Sequence, residues 1–295
     1  LEVTINKLIS EIEQQWLGLL YNHCRKTFED CFIPSHDHYH HYRVWHFARQ
    51  LFAALAEAGR APSQEMIGQT IISVFFHDLG LSKTLEENHG AESRDMCVDF
   101  FRSNRLPWPG GFEEILRAID QHDEKSVIHA SPGAAAGDYD LLSILRTSDD
   151  LDAFGYIGIY RYAEIYMLRG IPDEILADRV LDNLMNRYGN FAGAFHELAE
   201  FAGQQEYRYR ITRDFYAGLK EEFSGFHRQG YRLMILRLLR EKICSRENLL
   251  ALRLNKPFTD NNENIQEFFN LLRQENDAWS YPKADIPFFS GSRPA

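Results

Sequence analysis

Apolar residues recur every three or four positions through most of the chain, the spacing of helices that each bury one face. Ile5, Leu8, Ile9, Ile12, Trp16, Leu19 and Leu20 mark the buried face of an opening helix. Val44, Phe47, Ala48, Leu51, Phe52 and Leu55 mark a second, which stops near Gly59 and Pro62. Ser63 offers an N-capping oxygen to a third, with Met66, Ile67, Thr70, Ile71 and Val74 turned inward. That helix is expected to end near Gly80, with His77 and Asp78 in its last turn. The pattern predicts further helices around Ala91 to Phe101, Phe112 to His122 and Asp140 to Leu151, separated by the Pro- and Gly-rich loops LPWPGG and HASPGAAAGD. No alternating series suggests a strand, so the predicted fold class is all-α.

Past about residue 205 the helical pattern continues but becomes more basic, as in EYRYRITRDFYAGLK and FHRQGYRLMILRLLREK. Tyr231, Met234, Ile235, Leu238 and Leu239 define an expected face that packs on the main body or on a partner. The closing SYPKADIPFFSGSRPA reads as an extended tail. The expected division is therefore 1–205, carrying the chemistry, and 206–295, a helical C-terminal extension ending in that tail.

Composition narrows the classes. The 295 residues are 44% hydrophobic and 25% charged, in the globular range. No apolar run approaches the roughly 20 residues that span a bilayer. The first segment carries Glu2, Lys7, Glu11 and Glu13 rather than a secretory core. Cys24, Cys31, Cys97 and Cys244 form no CxxC pair and read as reduced thiols, which places the expected chain in the cytoplasm, away from membranes. A formal net charge of -11 argues against nucleic acid as a general partner, yet leaves room for a nucleotide, because a bound cation supplies local positive charge.

Candidate chemistry lies in a recurrence of imidazoles and carboxylates on separate predicted helices: HDHYHHYRVWHF, FFHDLG, NHGAES, AIDQHDEK and TSDDLDAFGYIGIYR. Such a mixture suits borderline or hard divalent metals. In the first segment five histidines compete for a ligand role: His36, His38, His40, His41 and His46.

These motifs, in this order, resemble the HD superfamily of metal-dependent phosphohydrolases over roughly residues 30 to 165. The opening segment is similar to HDxxHxxRV, matched by His36-Asp37, His40 and Arg43-Val44, and the resemblance makes His40 the ligand. On the same pattern His36 lies near the site without binding, and His38, His41 and His46 are solvated bystanders. His77-Asp78 matches the defining pair, and TSDDLDAFG resembles the closing ADxLDAxG, which makes Asp149 the fourth ligand and leaves Asp152 a supporting carboxylate. His89 and His122 resemble the paired histidines of binuclear relatives, where the Asp of the HD pair bridges two metals. Leu81 stands where many relatives carry Lys, so Lys83 is the candidate phosphate contact, together with Arg43, Arg161 and Lys125.

The resemblance implies an HD-domain helical bundle and a phosphate-ester substrate, a nucleotide or another small molecule. It implies one or two divalent ions, from among Mn, Fe, Zn, Co, Ni and Mg. The expected reaction is attack on phosphorus by a hydroxide formed on the metal, with Asp78 catalytic as the bridging or orienting carboxylate. Two other classes stay open: an HD-fold di-iron oxygenase acting on a small organic substrate, and a non-catalytic HD module that senses a ligand. Assembly into a homo-oligomer is also left open.

Overall fold

The computed structural model describes residues 2–86, 89–124, 139–225, 230–244 and 262–282. Among them the chain is helical throughout, with no strand. It divides into two compact units, one of residues 1–31, 37–149 and 281–295, the other of residues 32–36 and 150–280.

The first unit is organised around a helix buried nearly all round. α1 (Glu2–Thr27), α2 (His38–Glu57) and α3 (Gln64–Phe76) are followed by a short 3-10 turn (Leu79–Ser82), then α4 (His89–Ser103), α5 (Phe112–Gln121) and α6 (Leu141–Asp152). Every residue of α3 from Gln69 to Phe76 is buried. The reason is its company: α3 packs against α1, α2, α4 and α5. Side chains such as Ile71, Val74 and Phe76 are entirely enclosed, each contributing about 1.5–3 kcal/mol of burial. From α1 the expected stripe supplies Ile5, Ile9, Ile12, Trp16 and Leu20 to this core, while Leu8 and Leu19 sit at its edge.

Two caps fix where the central helices begin. Ser63 accepts from the Met66 amide at 3.1 Å and starts α3. Asp37 accepts from the Tyr39 amide at 2.9 Å and starts α2. The helix start at His38 puts His40 and His41 in the first turn of α2, not in a loop.

The second unit holds α7 (Gly155–Leu168), α8 (Asp173–Phe195), α9 (Ala199–Ser224), α10 (Tyr231–Cys244) and α11 (Glu263–Asp277). α7 is its centre and packs against the other four. Its first amides have no partner within the helix. Glu275 of α11 supplies one, accepting from Tyr156 N at 2.6 Å and Ile157 N at 3.2 Å. Arg208 of α9 pairs with Glu275 and donates to the carbonyls of Leu151 and Phe154. The residues that lead into α7 are thus tied by side chains from helices far along the chain.

Some expectations change here. The expected boundary near residue 205 falls inside the continuous helix α9. On α10 the buried residues are Leu233, Ile235, Leu236, Leu239 and Ile243, whereas Met234 is exposed and Tyr231 and Leu238 are half-buried. The expected face is therefore rotated toward Leu233 and Leu236. Several basic residues past 205 are paired with carboxylates: Arg210 with Glu206, Arg213 with Asp214, Lys220 with Asp178, Arg232 with Glu222 and Arg240 with Asp173. The tail beyond residue 282 and the loop at 125–138 lie outside the described residues. No helix among the described residues is long and apolar enough to cross a membrane.

Candidate metal centre

Helix ends assemble the site. His77 is the C-cap of α3 and His122 the C-cap of α5, positions where backbone carbonyls lose their intrahelical partners. Each imidazole turns back onto such a carbonyl: His77 Nδ1 donates to Val74 O at 2.7 Å and His122 Nδ1 to Ile119 O at 2.7 Å. His89, the first residue of α4, does the same to Glu86 O at 3.1 Å. A carbonyl only accepts, so in all three neutral rings the proton sits on Nδ1. Nε2 then offers its lone pair, the arrangement that orients a histidine for a metal.

Asp78 lies between the α3 end and the 3-10 turn, and its two carboxylate oxygens face two different groups. Oδ2 lies 3.3 Å from His40 Nε2 and 3.4 Å from His77 Nε2. Those two nitrogens are 3.2 Å apart, and Asp149 Oδ1 lies 3.4 and 3.8 Å from them. Oδ1 of Asp78 lies 3.0 Å from His89 Nε2 and 3.1 Å from His122 Nε2, which are 3.2 Å from each other. The six residues are buried, with Asp149 the most accessible at 9%.

This donor set fits a divalent cation. Atoms held about 2.0–2.2 Å from a common tetrahedral centre lie roughly 3.3–3.6 Å apart, close to the spacings found. Two carboxylates and four imidazoles enclosed together are costly to bury without a compensating charge. Burial opposes the charge on His77, but Asp78 and Asp149 outweigh it and raise its pKa to about 10. Burial likewise disfavours the Asp78 carboxylate, yet His77, His122 and His40 hold it well below the usual carboxylate range. His89 is raised against burial by its hydrogen bond to Asp78.

Two glycines let these elements close up. A Cβ on Gly80, in the turn after Asp78, would stand 2.1 Å from the carbonyl oxygen of His89. One on Gly90, beside His89, would stand 2.5 Å from the Asp120 carbonyl oxygen. Ser93 of α4 accepts from the Gly80 amide at 2.8 Å and pins the same contact.

Residues 38–154, from the start of α2 to the corner after α6, match the family model of the HD domain. That stretch is similar to the HD domain. The comparison with curated proteins and the comparison with solved structures each gave no match.

Within this stretch the structure gathers His40, His77, Asp78 and Asp149 in one group and Asp78, His89 and His122 in another. The other candidates stand elsewhere. Arg43 is fully buried and donates to the Tyr281 hydroxyl at 3.2 Å, an internal partner in place of the expected solute phosphate. Arg161 is 5% exposed and pairs with Asp152 at 3.2 Å. Lys83 is at the surface, paired with Glu92 at 3.0 Å. Lys125 lies outside the described residues. His36 is bonded to Glu164 and Ser35 and belongs to neither ligand group.

Of the expected solvated histidines, His41 is buried and His38 and His46 are half-buried. His41 is fully enclosed, its Nδ1 on the Asp37 carbonyl at 2.9 Å, and burial drives its pKa well down. Burial also lowers His38 and His46 to about 4. The amphipathic reading of α2 failed there because the helix is covered on more than one side.

Sequence reasoning passed over Asp37 as the cap of α2, Ser93 and Arg146. A capping signal was available for Asp37, since an Asp directly before a helical pattern is a standard start. Nothing in the local sequence marks Ser93 or Arg146, whose partners are remote in the chain.

Proposed function

We propose that the chain is a metal-dependent phosphohydrolase that cleaves a phosphate ester of a nucleotide or another small molecule. The observation that carries this reading is Asp78, whose two oxygens each face a separate set of imidazole nitrogens. When bound, a divalent ion supplies Lewis acidity toward phosphate oxygens and lowers the pKa of a coordinated water toward about 7.

The chain's own residues do the rest. His40, His77 and Asp149 would hold one ion, His89 and His122 a second, and Asp78 would bridge both and fix their separation. The carbonyls of Val74, Ile119 and Glu86 keep the three rings from rotating, so little reorganisation accompanies turnover. Asp149, the most accessible ligand, marks the side on which substrate approaches. Of the three described cations expected to touch phosphate, Lys83 has the exposure to do so, by exchanging Glu92 for the substrate. Arg43 and Arg161, buried against internal partners, support the fold instead.

The test is a panel of phosphate esters, nucleotides included, assayed for phosphate release with Mn, Co, Ni, Mg or Zn. Metal-dependent release by the wild type, absent in Asp78→Ala, is the expected result; no release with any pair refutes the reading. The full set of four imidazoles and two carboxylates also suits two irons, which favours the oxygenase as the second reading. Oxygen uptake by iron-loaded protein with an organic substrate, without phosphate release, would select it.

A further inference from the structure

The proposed mechanism makes no use of Arg146, yet its guanidinium reaches the backbone beneath a proposed ligand. Arg146 lies on α6, three residues before Asp149. Its Nη2 donates to the Gln121 carbonyl at 2.5 Å and the Glu124 carbonyl at 3.2 Å, and its Nε to the His122 carbonyl at 3.2 Å. α5 ends at Gln121, so these carbonyls include groups that its own ladder leaves open. A planar fork satisfies several at fixed angles, which a single ammonium cannot do.

The consequence is geometric. The His122 ring is fixed relative to α5 by its bond to Ile119 O. The distance from His122 Nε2 to Asp78 Oδ1, 3.1 Å, then depends on where the end of α5 sits. Arg146 fastens that end to α6. His40 and His77 come from α2 and the end of α3, and the bonds of Arg146 go to Gln121, His122 and Glu124, at the end of α5 that carries His122.

We infer that Arg146 is a positioning residue that sets the second ion-binding group by holding His122 within reach of Asp78. The inference rests on the reading of both groups as divalent-ion sites. It is tested on the full, metal-stripped chain by calorimetric titration with Mn2+, and with Zn2+ as a second probe. Wild type, His122→Ala, Arg146→Ala and Arg146→Lys are compared, and the melting of each ion-free protein is recorded.

The wild type is expected to take up two equivalents and His122→Ala one. Arg146→Ala is expected to keep one equivalent near wild-type affinity and to weaken the other by about 10–100-fold, the usual effect of removing a group that orients a ligand. Arg146→Lys should fall between. A role confined to capping α5 would lower the melting temperature and leave both affinities alone; that result overturns the inference, as does parallel loss of both equivalents. If Arg146→Ala does not fold, Arg146→Lys decides: wild-type affinity for both equivalents overturns the inference, and selective weakening of one supports it. A wild type that binds no ion, or only one, refutes the two-site reading before any Arg146 variant is made, and the inference falls with it.

Discussion

The two candidate groups share one carboxylate and differ in their charge and in the elements that carry them. The first joins two imidazoles to two carboxylates, drawn from α2, the α3 end and α6. The second has two imidazoles and only the other oxygen of Asp78, and both imidazoles sit at helix ends tied by backbone carbonyls. More negative charge in the first group predicts tighter binding there. The second group depends on contacts that a single methyl would break, at Gly80 and Gly90. The lesson is that one buried aspartate can face two groups of donors whose packing constraints differ.

The largest effect should follow from breaking the shared point. Asp78→Ala is expected to abolish uptake at both groups and to bring turnover to background, with helical content by circular dichroism nearly unchanged. Retention of one tight equivalent would show that the groups do not share Asp78.

Next comes a change that should separate the groups. Gly80→Ala drives a Cβ toward the His89 carbonyl and should cost about 1–3 kcal/mol in denaturant unfolding, as overpacking does. It should weaken the second equivalent by at least about tenfold, as loss of ligand orientation does, and spare the first. Equal weakening of both would show that the 3-10 turn moves as one body with His77.

pH sharpens the comparison further. The ion-free His77 pKa is raised to about 10. Its contribution to the ion-free fold is therefore complete below about pH 6.5 and is lost as pH rises through about 10. Asp78, held low, contributes fully above about 3.8, and that contribution is lost as pH falls below this value. An incoming ion must displace the His77 proton, so affinity at the first group should rise about tenfold per pH unit between 7 and 9. Calorimetry in buffers of different ionisation enthalpy should register proton release; none would mean that His77 is not a ligand.

The smallest effect is expected at Lys83. Its exposed pair with Glu92 is worth about 0–1 kcal/mol, so Lys83→Ala should leave the unfolding midpoint nearly unchanged. A rise in KM with constant kcat would mark it as a phosphate contact, and unchanged KM would remove it from the site.

What could be read from the chain follows the range of each interaction. The helices of the first unit were legible because burial on one face imposes a local period, and Ser63 announces α3 through a hydrogen bond three residues long. The HD pair and the closing Asp149 were legible through motif order. His41 was misjudged because its burial comes from neighbours remote in the chain, such as Phe28 just past α1 and Phe75 on α3. Arg43 was misjudged because its partner Tyr281 lies 238 positions away.

By itself, then, the sequence determined the helical class, the helix start set by Ser63, and the types of donor atom offered to a cation. Only the tertiary structure decided that Asp78 turns one oxygen to each group, that Gly80 and Gly90 let three helix ends meet, and that Arg146 ties α5 to α6. The physical reason is distance along the chain. Periodicity and capping act over a few residues, whereas ligand geometry is fixed where remote backbones come within a methyl group of one another.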